Sequence, residues 1–170
     1  MGTIGDEIHQ TRPFADVAEE AVVTLVATAD RVRGTLSRVV DRGGITLQQY
    51  NVLRILRGAG ASGLPTLDIA ARMIDKSPGI TRLLDRLEAR RLVRRVRCPQ
   101  DRRQVLCHAT AQARQLLAEL DAPMAEAARR LVAPLGGSRT LALIASLDEI
   151  RNAATSATPQ PRLPETTVQS

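Results

Sequence analysis

The sequence predicts a mostly helical chain that carries one small β-hairpin. Three observations lead there. Apolar residues recur at helical spacing along most of the chain. A Ser-Pro pair, Ser77-Pro78, opens a helix almost directly after another has ended. Two β-rich runs, 92–98 and 104–110, flank the turn-forming Pro99-Gln100-Asp101-Arg102-Arg103.

Taken in order, residues 14–40 place Val17, Ala21, Leu25, Ala29, Val32, Leu36 and Val39 on one helical stripe. A small lobe does not need so long a helix, so it should extend beyond the lobe to meet another partner. Asp41-Arg42-Gly43-Gly44 ends it, and Thr46-Leu47-Gln48-Gln49 forms a capping box for a helix to about Arg57 that turns Tyr50, Leu53 and Leu56 inward. The glycine-rich segment 58–65 then leads to Thr66, read as the cap of a short helix over 67–74. Only Asp75-Lys76 separates that helix from Ser77. Two short helices joined so tightly must cross steeply, which is helix-turn-helix geometry.

On a helical wheel over 78–91, Ile80, Leu83, Leu84 and Leu87 share one face. The opposite face carries Arg82, Asp85 and Ala89, flanked by Thr81 and Arg86. Hydrogen-bond donors and small residues on an exposed helix face suit the base edges of a major groove. Taken alone, the same pattern also describes an ordinary amphipathic helix with a solvated charged side. After the hairpin, Thr110 caps a long helix to about residue 132 with Leu116, Leu117, Leu120, Met124 and Leu131 on its apolar side. Pro123 falls inside that pattern and predicts a kink or break near Leu120. Pro134-Leu135-Gly136-Gly137 is a second break, and Ser138 is read as the cap of a last helix bearing Leu141, Ile144, Leu147 and Ile150. The domain reading is an N-terminal helical arm over 1–45, a winged helix-turn-helix lobe over 46–110, C-terminal helices over 111–155 and a disordered tail over 156–170. The arm and the C-terminal helices have apolar stripes that the lobe cannot cover. Burying them against a second copy gives a two-fold homodimer.

The net charge of +6 is local. Residues 66–110 hold eleven basic and five acidic side chains, and the remainder of the chain is balanced at thirteen of each. A compact unit that carries all the excess charge suits a surface that displaces counterions from duplex phosphates. Aromatics are limited to Phe14 and Tyr50, which argues against single-strand binding by base stacking. No apolar run spans a bilayer and no signal-peptide pattern opens the chain, so the expectation is a soluble cytoplasmic protein without a membrane partner. The histidines are His9 and His108, and no metal-spaced cluster, nucleophile elbow or phosphate loop is present. The expectation is therefore a non-enzyme with neither cofactor nor metal.

Three segments in this order, ITLQQYNVLRIL, LDIAARMIDKSPGITRLLDRLEARRLV and CPQDRRQVLCHAT, resemble the MarR family of bacterial winged-helix transcriptional regulators. The resemblance covers 45–120, and its most specific piece is the wing's Asp-x-Arg followed by a strand and a Thr-capped helix. It implies an obligate homodimer of triangular outline that represses from palindromic DNA near its own and neighbouring promoters. Ser77, Pro78, Gly79, Thr81, Arg82 and Arg86 then fall on the recognition helix, Arg103 on the wing arginine that enters the minor groove, and Asp101 on the acid that orients it. This agrees with the affinity of a guanidinium for a narrow, strongly negative groove. Arg97 and Arg102 are assigned to phosphates, which position without reading sequence. One departure is Arg91, which stands before Leu92 where the family usually has glycine.

The resemblance also implies release by a small aromatic or phenolic acid bound between the helical region and the lobe. Tyr50 lies near such a cleft but suits core packing. Two alternatives remain open at this point. One is a thiol-based redox-sensing regulator using Cys98 or Cys107, although the hairpin register places these too far apart for an intrachain disulfide. The other is a winged-helix module that binds only protein. Salt separates the last from DNA binding: duplex affinity should fall steeply between 50 and 200 mM salt, by about a thousandfold if some six phosphates are contacted, and a flat response would favour the protein-binding class.

Overall fold

The computed structural model describes residues 4–75, 79–98, 101 and 104–157. The chain divides into two compact units, Met1–Arg129 and Arg130–Ser170. The first contains helices α1 (Ile4–Glu7), α2 (Val17–Val40), α3 (Leu47–Ala59), α4 (Thr66–Arg72) and α5 (Ile80–Ala89), strands β1 (Leu64–Pro65), β2 (Val93–Arg97) and β3 (Val105–Ala109), and most of α6 (Ala111–Val132). The second takes the end of α6 and α7 (Gly136–Ala157). No helix among the described residues is long and apolar enough to cross a membrane.

The elements form where local chemistry directs them. Asp16 caps α2 by accepting the amide of Glu19 at 2.8 Å. The capping box at α3 is complete: Thr46 Oγ1 accepts the Gln49 amide at 3.2 Å, and Gln49 Oε1 accepts the Thr46 amide at 3.0 Å. Thr110 Oγ1 accepts the Ala113 amide at 3.1 Å and starts α6.

The core of the first unit lies under α3. Val52, Leu53 and Leu56 pack with Ile69 of α4, Leu84 and Leu87 of α5, Val93 and Cys107 of the sheet, and Leu117 of α6, all essentially inaccessible. Aliphatic side chains thus fill the space, as the scarcity of aromatics required. The sheet has strand order β1-β3-β2, entirely antiparallel, with Arg95 opposite Cys107 and Leu64 also opposite Cys107. Strand β1 was invisible in the sequence because two residues have no periodicity; it exists only through pairing with β3. Its Pro65 lacks a donor and accordingly sits on a sheet edge. Gly63, at φ +64, leads into it: a Cβ there would lie 2.8 Å from the Cys107 carbonyl oxygen and 2.5 Å from the His108 ring.

Several boundaries differ from expectation. Helix α4 starts at Thr66, with Pro65 in the cap position, and ends at Arg72, because Met73 is extended at ψ 140 and turns its side chain into the core. Pro123 does not break α6, which is helical throughout 111–132. Proline removes one amide donor, and buried Leu117 and Leu120 hold the preceding turn in place. Ser138 does not cap α7, which begins two residues earlier at Gly136, after a short 3-10 turn over Ala133–Leu135. Helix α7 also continues through Ala157, past the expected start of the tail; residues 158–170 lie outside the described residues.

Arg57 of α3 grips Asp121 of α6 through two hydrogen bonds of 2.8 and 3.0 Å. That hydrogen bonding, assisted by charge and opposed by partial burial, holds the Asp121 carboxyl below its ordinary range. A depressed carboxyl pKa stabilises the fold above the unfolded-state value near 4 and ceases to do so as pH falls through the folded-state value. Asp121→Asn should therefore lower the urea midpoint at pH 7 by the equivalent of less than about 1 kcal/mol, since both side chains are partly solvated. Urea titrations from pH 7 downward should show the gap from wild type closing below about pH 4.

Candidate nucleic-acid interface

Helix α5 is ten residues long and begins later than the Ser77-Pro78 signal suggested. Its cap is Gly79, at φ +126, a conformation that no side chain adopts easily; open space surrounds the position where a Cβ would be. Leu83 donates to the Gly79 carbonyl at 3.0 Å, the first bond of the helix. Ser77 and Pro78 lie outside the described residues. The apolar face is the expected one: Leu84 and Leu87 are fully buried, with Ile80 and Leu83 half-buried against the same core. Thr81, Arg82, Asp85 and Arg86 are exposed on the other side.

At its C-terminal end α5 stops at Ala89, short of the expected Arg91. Arg91 takes the left-handed conformation at φ +58. Its amide donates to the Glu88 carbonyl at 2.8 Å, and the Leu92 amide donates to the Leu87 carbonyl at 2.9 Å. This is a Schellman closure with arginine where glycine is usual, and buried Leu87 and Leu92 supply its apolar contact. Thr110 reinforces it by donating its hydroxyl to the Arg91 carbonyl at 2.8 Å and its amide to the Leu92 carbonyl at 3.1 Å.

Side chains tie α5 at three levels. At the turn that precedes it, Asn51 Oδ1 accepts the Ile74 amide at 3.1 Å, and Gln48 Nε2 donates to Asp75 Oδ2 at 2.7 Å. Along its length, Arg95 of β2 donates Nη1 to Asp85 Oδ1 at 2.7 Å and to Glu88 Oε2 at 2.9 Å. At its end, Arg90 donates to the carbonyls of Gly43 and Gly44 in the turn after α2. Partial burial opposes the Arg95 charge, but the hydrogen bond and charge of Asp85, with the charge of Glu88, outweigh it and raise its pKa. In the sequence Arg90 and Arg95 merged with the other arginines as phosphate candidates. The clue that separates Arg95 is the pair of acids at Asp85 and Glu88, three residues apart on one helical line and within reach of a basic strand.

The wing begins with β2 and β3 paired so that Arg97 stands opposite Val105, and the Cys98 amide donates to the Gln104 carbonyl at 2.9 Å. Gln104 in turn donates to the Asp101 carbonyl at 2.9 Å. Arg94 and Arg97 are exposed. Asp101 is half-buried at the tip; Arg102 and Arg103 lie outside the described residues, and the expected pairing of Asp101 with Arg103 lies there too. Neither cysteine is in a disulfide: Cys107 is wholly buried in the central strand and Cys98 is half-buried.

Helix α3 also walls a cleft of about 770 Å³. Val32 and Leu36 of α2, Tyr50 and Arg54 of α3, and Met124 of α6 line it, and Met73, Ile74 and Asp75 of the turn before α5 complete it. The Arg54 guanidinium stands 5.8 Å from the centre of the Tyr50 ring. Tyr50 is only 6% exposed, so it serves the core while one edge meets the cleft.

A short helix pair, a half-exposed second helix and a basic hairpin define a winged helix-turn-helix lobe. The MarR family model matches residues 45–105. A crystal structure of a MarR transcription factor from Planctomyces limnophilus is 34% identical in sequence, with a TM-score of 0.62; the match covers 80% of this chain and 98% of that one. The chain belongs to the MarR family of transcription regulators. Sco3205 from Streptomyces coelicolor, solved in complex with DNA, shares the fold at a TM-score of 0.72 and 22% identity, over 89% of this chain and 98% of its own. CouR from Rhodococcus jostii RHA1, solved with p-coumaroyl-CoA, matches at 0.67 and 26%, over 87% and 100%. No curated protein matches the chain.

The left-handed Arg91 has a measurable consequence. Arg91→Gly should stabilise the fold by about 1 kcal/mol, because glycine adopts that conformation without a Cβ clash. Thermal unfolding should show a melting temperature a few degrees higher.

Proposed function

We propose that the protein is a homodimeric repressor of a palindromic operator. In this reading α5 enters the major groove, with Thr81, Arg82 and Arg86 facing base edges and nearby phosphates. Ser77, Pro78 and Gly79 are assigned to DNA binding with them. The wing follows the minor groove with Arg103 inserted and Asp101 orienting it, while Arg97 and Arg102 hold phosphates. The observation that carries this reading is the charge on α5. Both of its acids are bonded to Arg95, while Arg82 and Arg86 stand exposed on the outer side.

The dimer is supported by apolar side chains left uncovered in the single chain. Val17, Val22 and Val26 of α2 are 59–82% exposed, and Leu141, Ile144 and Ile150 of α7 are 50–69% exposed. Such residues on helices are what a second copy would cover. Release by a small aromatic or phenolic acid is supported by the cleft, which joins apolar walls to the guanidinium of Arg54, and by the acyl-CoA-bound relative. The same cleft borders the turn held by Asn51 and Gln48, so an occupant bears directly on the entry to α5. Repression by such a regulator takes place in the cytoplasm, on the chromosome.

Selection of bound sequences from a random duplex pool by the purified protein tests the reading, and a two-fold symmetric site is the expected product. On that site Arg82→Ala should abolish most of the preference over random duplex, whereas Arg97→Ala should weaken both duplexes alike and lower the salt slope by about one. Equal losses on both duplexes from Arg82→Ala would refute its role as a base reader.

A further inference from the structure

We propose that Arg95 is a positioning residue for DNA recognition: it sets the roll of α5 and neutralises its acids, and does not itself bind phosphate. The proposal rests on the reading of α5 as the groove-entering helix.

Five arginines crowd 90–97, and composition treats them as one basic run. The structure separates them. Arg94 and Arg97 are exposed, whereas the Arg95 side chain is 25% exposed and directed at α5. Its contacts follow one line along the helix: the Thr81 carbonyl at 3.4 Å, Asp85 Oδ1 at 2.7 Å and Glu88 Oε2 at 2.9 Å. Residues 81, 85 and 88 stack on a single face over about 10 Å of helix axis. The guanidinium holds both acids through Nη1 and the Thr81 carbonyl through Nη2, two nitrogens fixed in one plane, whereas an ammonium offers a single nitrogen that can reach the acids but not the carbonyl as well. Glu88 completes the joint by accepting the Arg95 backbone amide on Oε1 at 3.1 Å. That amide belongs to β2, an edge strand of the sheet, so the helix is bolted to wing backbone as well as to a side chain.

Two consequences follow for DNA. The roll of α5 about its axis decides whether Arg82 and Arg86 point into a groove or along its wall, and the Arg95 joint fixes that roll to the wing strand. Asp85 is 55% exposed on the helix side that carries Arg82 and Arg86, where an uncompensated carboxylate would repel phosphates. Arg95 removes that repulsion from inside the protein, without using DNA as the counter-ion.

The experiment measures affinity for the selected operator and for random duplex, across salt, in wild type, Arg95→Lys, Arg95→Met, Asp85→Asn and the Arg95→Met/Asp85→Asn double variant. Arg95→Lys should lose about tenfold in operator affinity, close to Arg95→Met, while its salt slope stays that of wild type. The double variant should bind several-fold better than Arg95→Met alone, because the unmasked carboxylate is gone. Wild-type behaviour of Arg95→Lys, or losses that simply multiply in the double variant, would overturn the proposal and return Arg95 to the phosphate-contact class. Should Arg95→Met fail to fold by circular dichroism, Arg95→Lys and Asp85→Asn decide alone: near-wild-type operator binding by both refutes the proposal. If wild type itself selects no operator, the failure lies with the reading of α5 as a DNA helix, and the two failures are thereby told apart.

Discussion

The winged lobe depends on holding a ten-residue helix that cannot hold itself. A helix of that length is marginal in water, because the cost of nucleating it is recovered over too few bonds. Burial of Leu84 and Leu87 in the aliphatic core provides most of what keeps α5 in place. Apolar packing is non-directional, however, and would tolerate some rotation of the helix about its own axis. The polar ties at the preceding turn, along the length and at the Schellman closure remove that freedom. Each joins the helix or its entry turn to a different element: Gln48 donating and Asn51 accepting from α3 at the turn, Arg95 donating from β2 along the length, and Arg90 donating from the end of α5 to the turn after α2.

This division of labour also separates the arginines of the segment. Within one basic stretch, some guanidiniums are structural and others are outward. Arg90 holds carbonyls, Arg95 holds carboxylates, and Arg94 and Arg97 face solvent. The net charge of the segment is therefore a poor measure of its phosphate contacts, since part of it is balanced internally by Asp85 and Glu88. The acids are not errors in a basic surface; they are the partners that let an arginine fix the helix.

The cleft beside α3 lies next to this held helix. Gln48 and Asn51 line it and bond the turn that precedes α5, while Tyr50 belongs at once to the cleft wall and the core. Helix α3 thus connects the cleft to the turn that leads into α5, without a flexible linker between them.

Much of the fold was legible from residues alone. The Thr46-Gln49 capping box, the α5 apolar face and the hairpin register all rest on interactions between near neighbours in sequence, which local patterns report directly. The anomaly at Arg91 was legible as an arginine where the family usually has glycine; that it takes the left-handed conformation was shown by the folded chain. What only the tertiary structure decided depends on distant contacts. Strand β1 exists because β3 pairs with it, α6 runs through Pro123 because buried neighbours hold the turn before it, and Arg95 is a tie because the wing strand passes over Asp85 and Glu88. Sequence determined which faces are apolar and which are charged, since side-chain chemistry and helical period suffice for that. Which charge meets which required the folded chain, because a guanidinium's role is set by the acceptors within its reach.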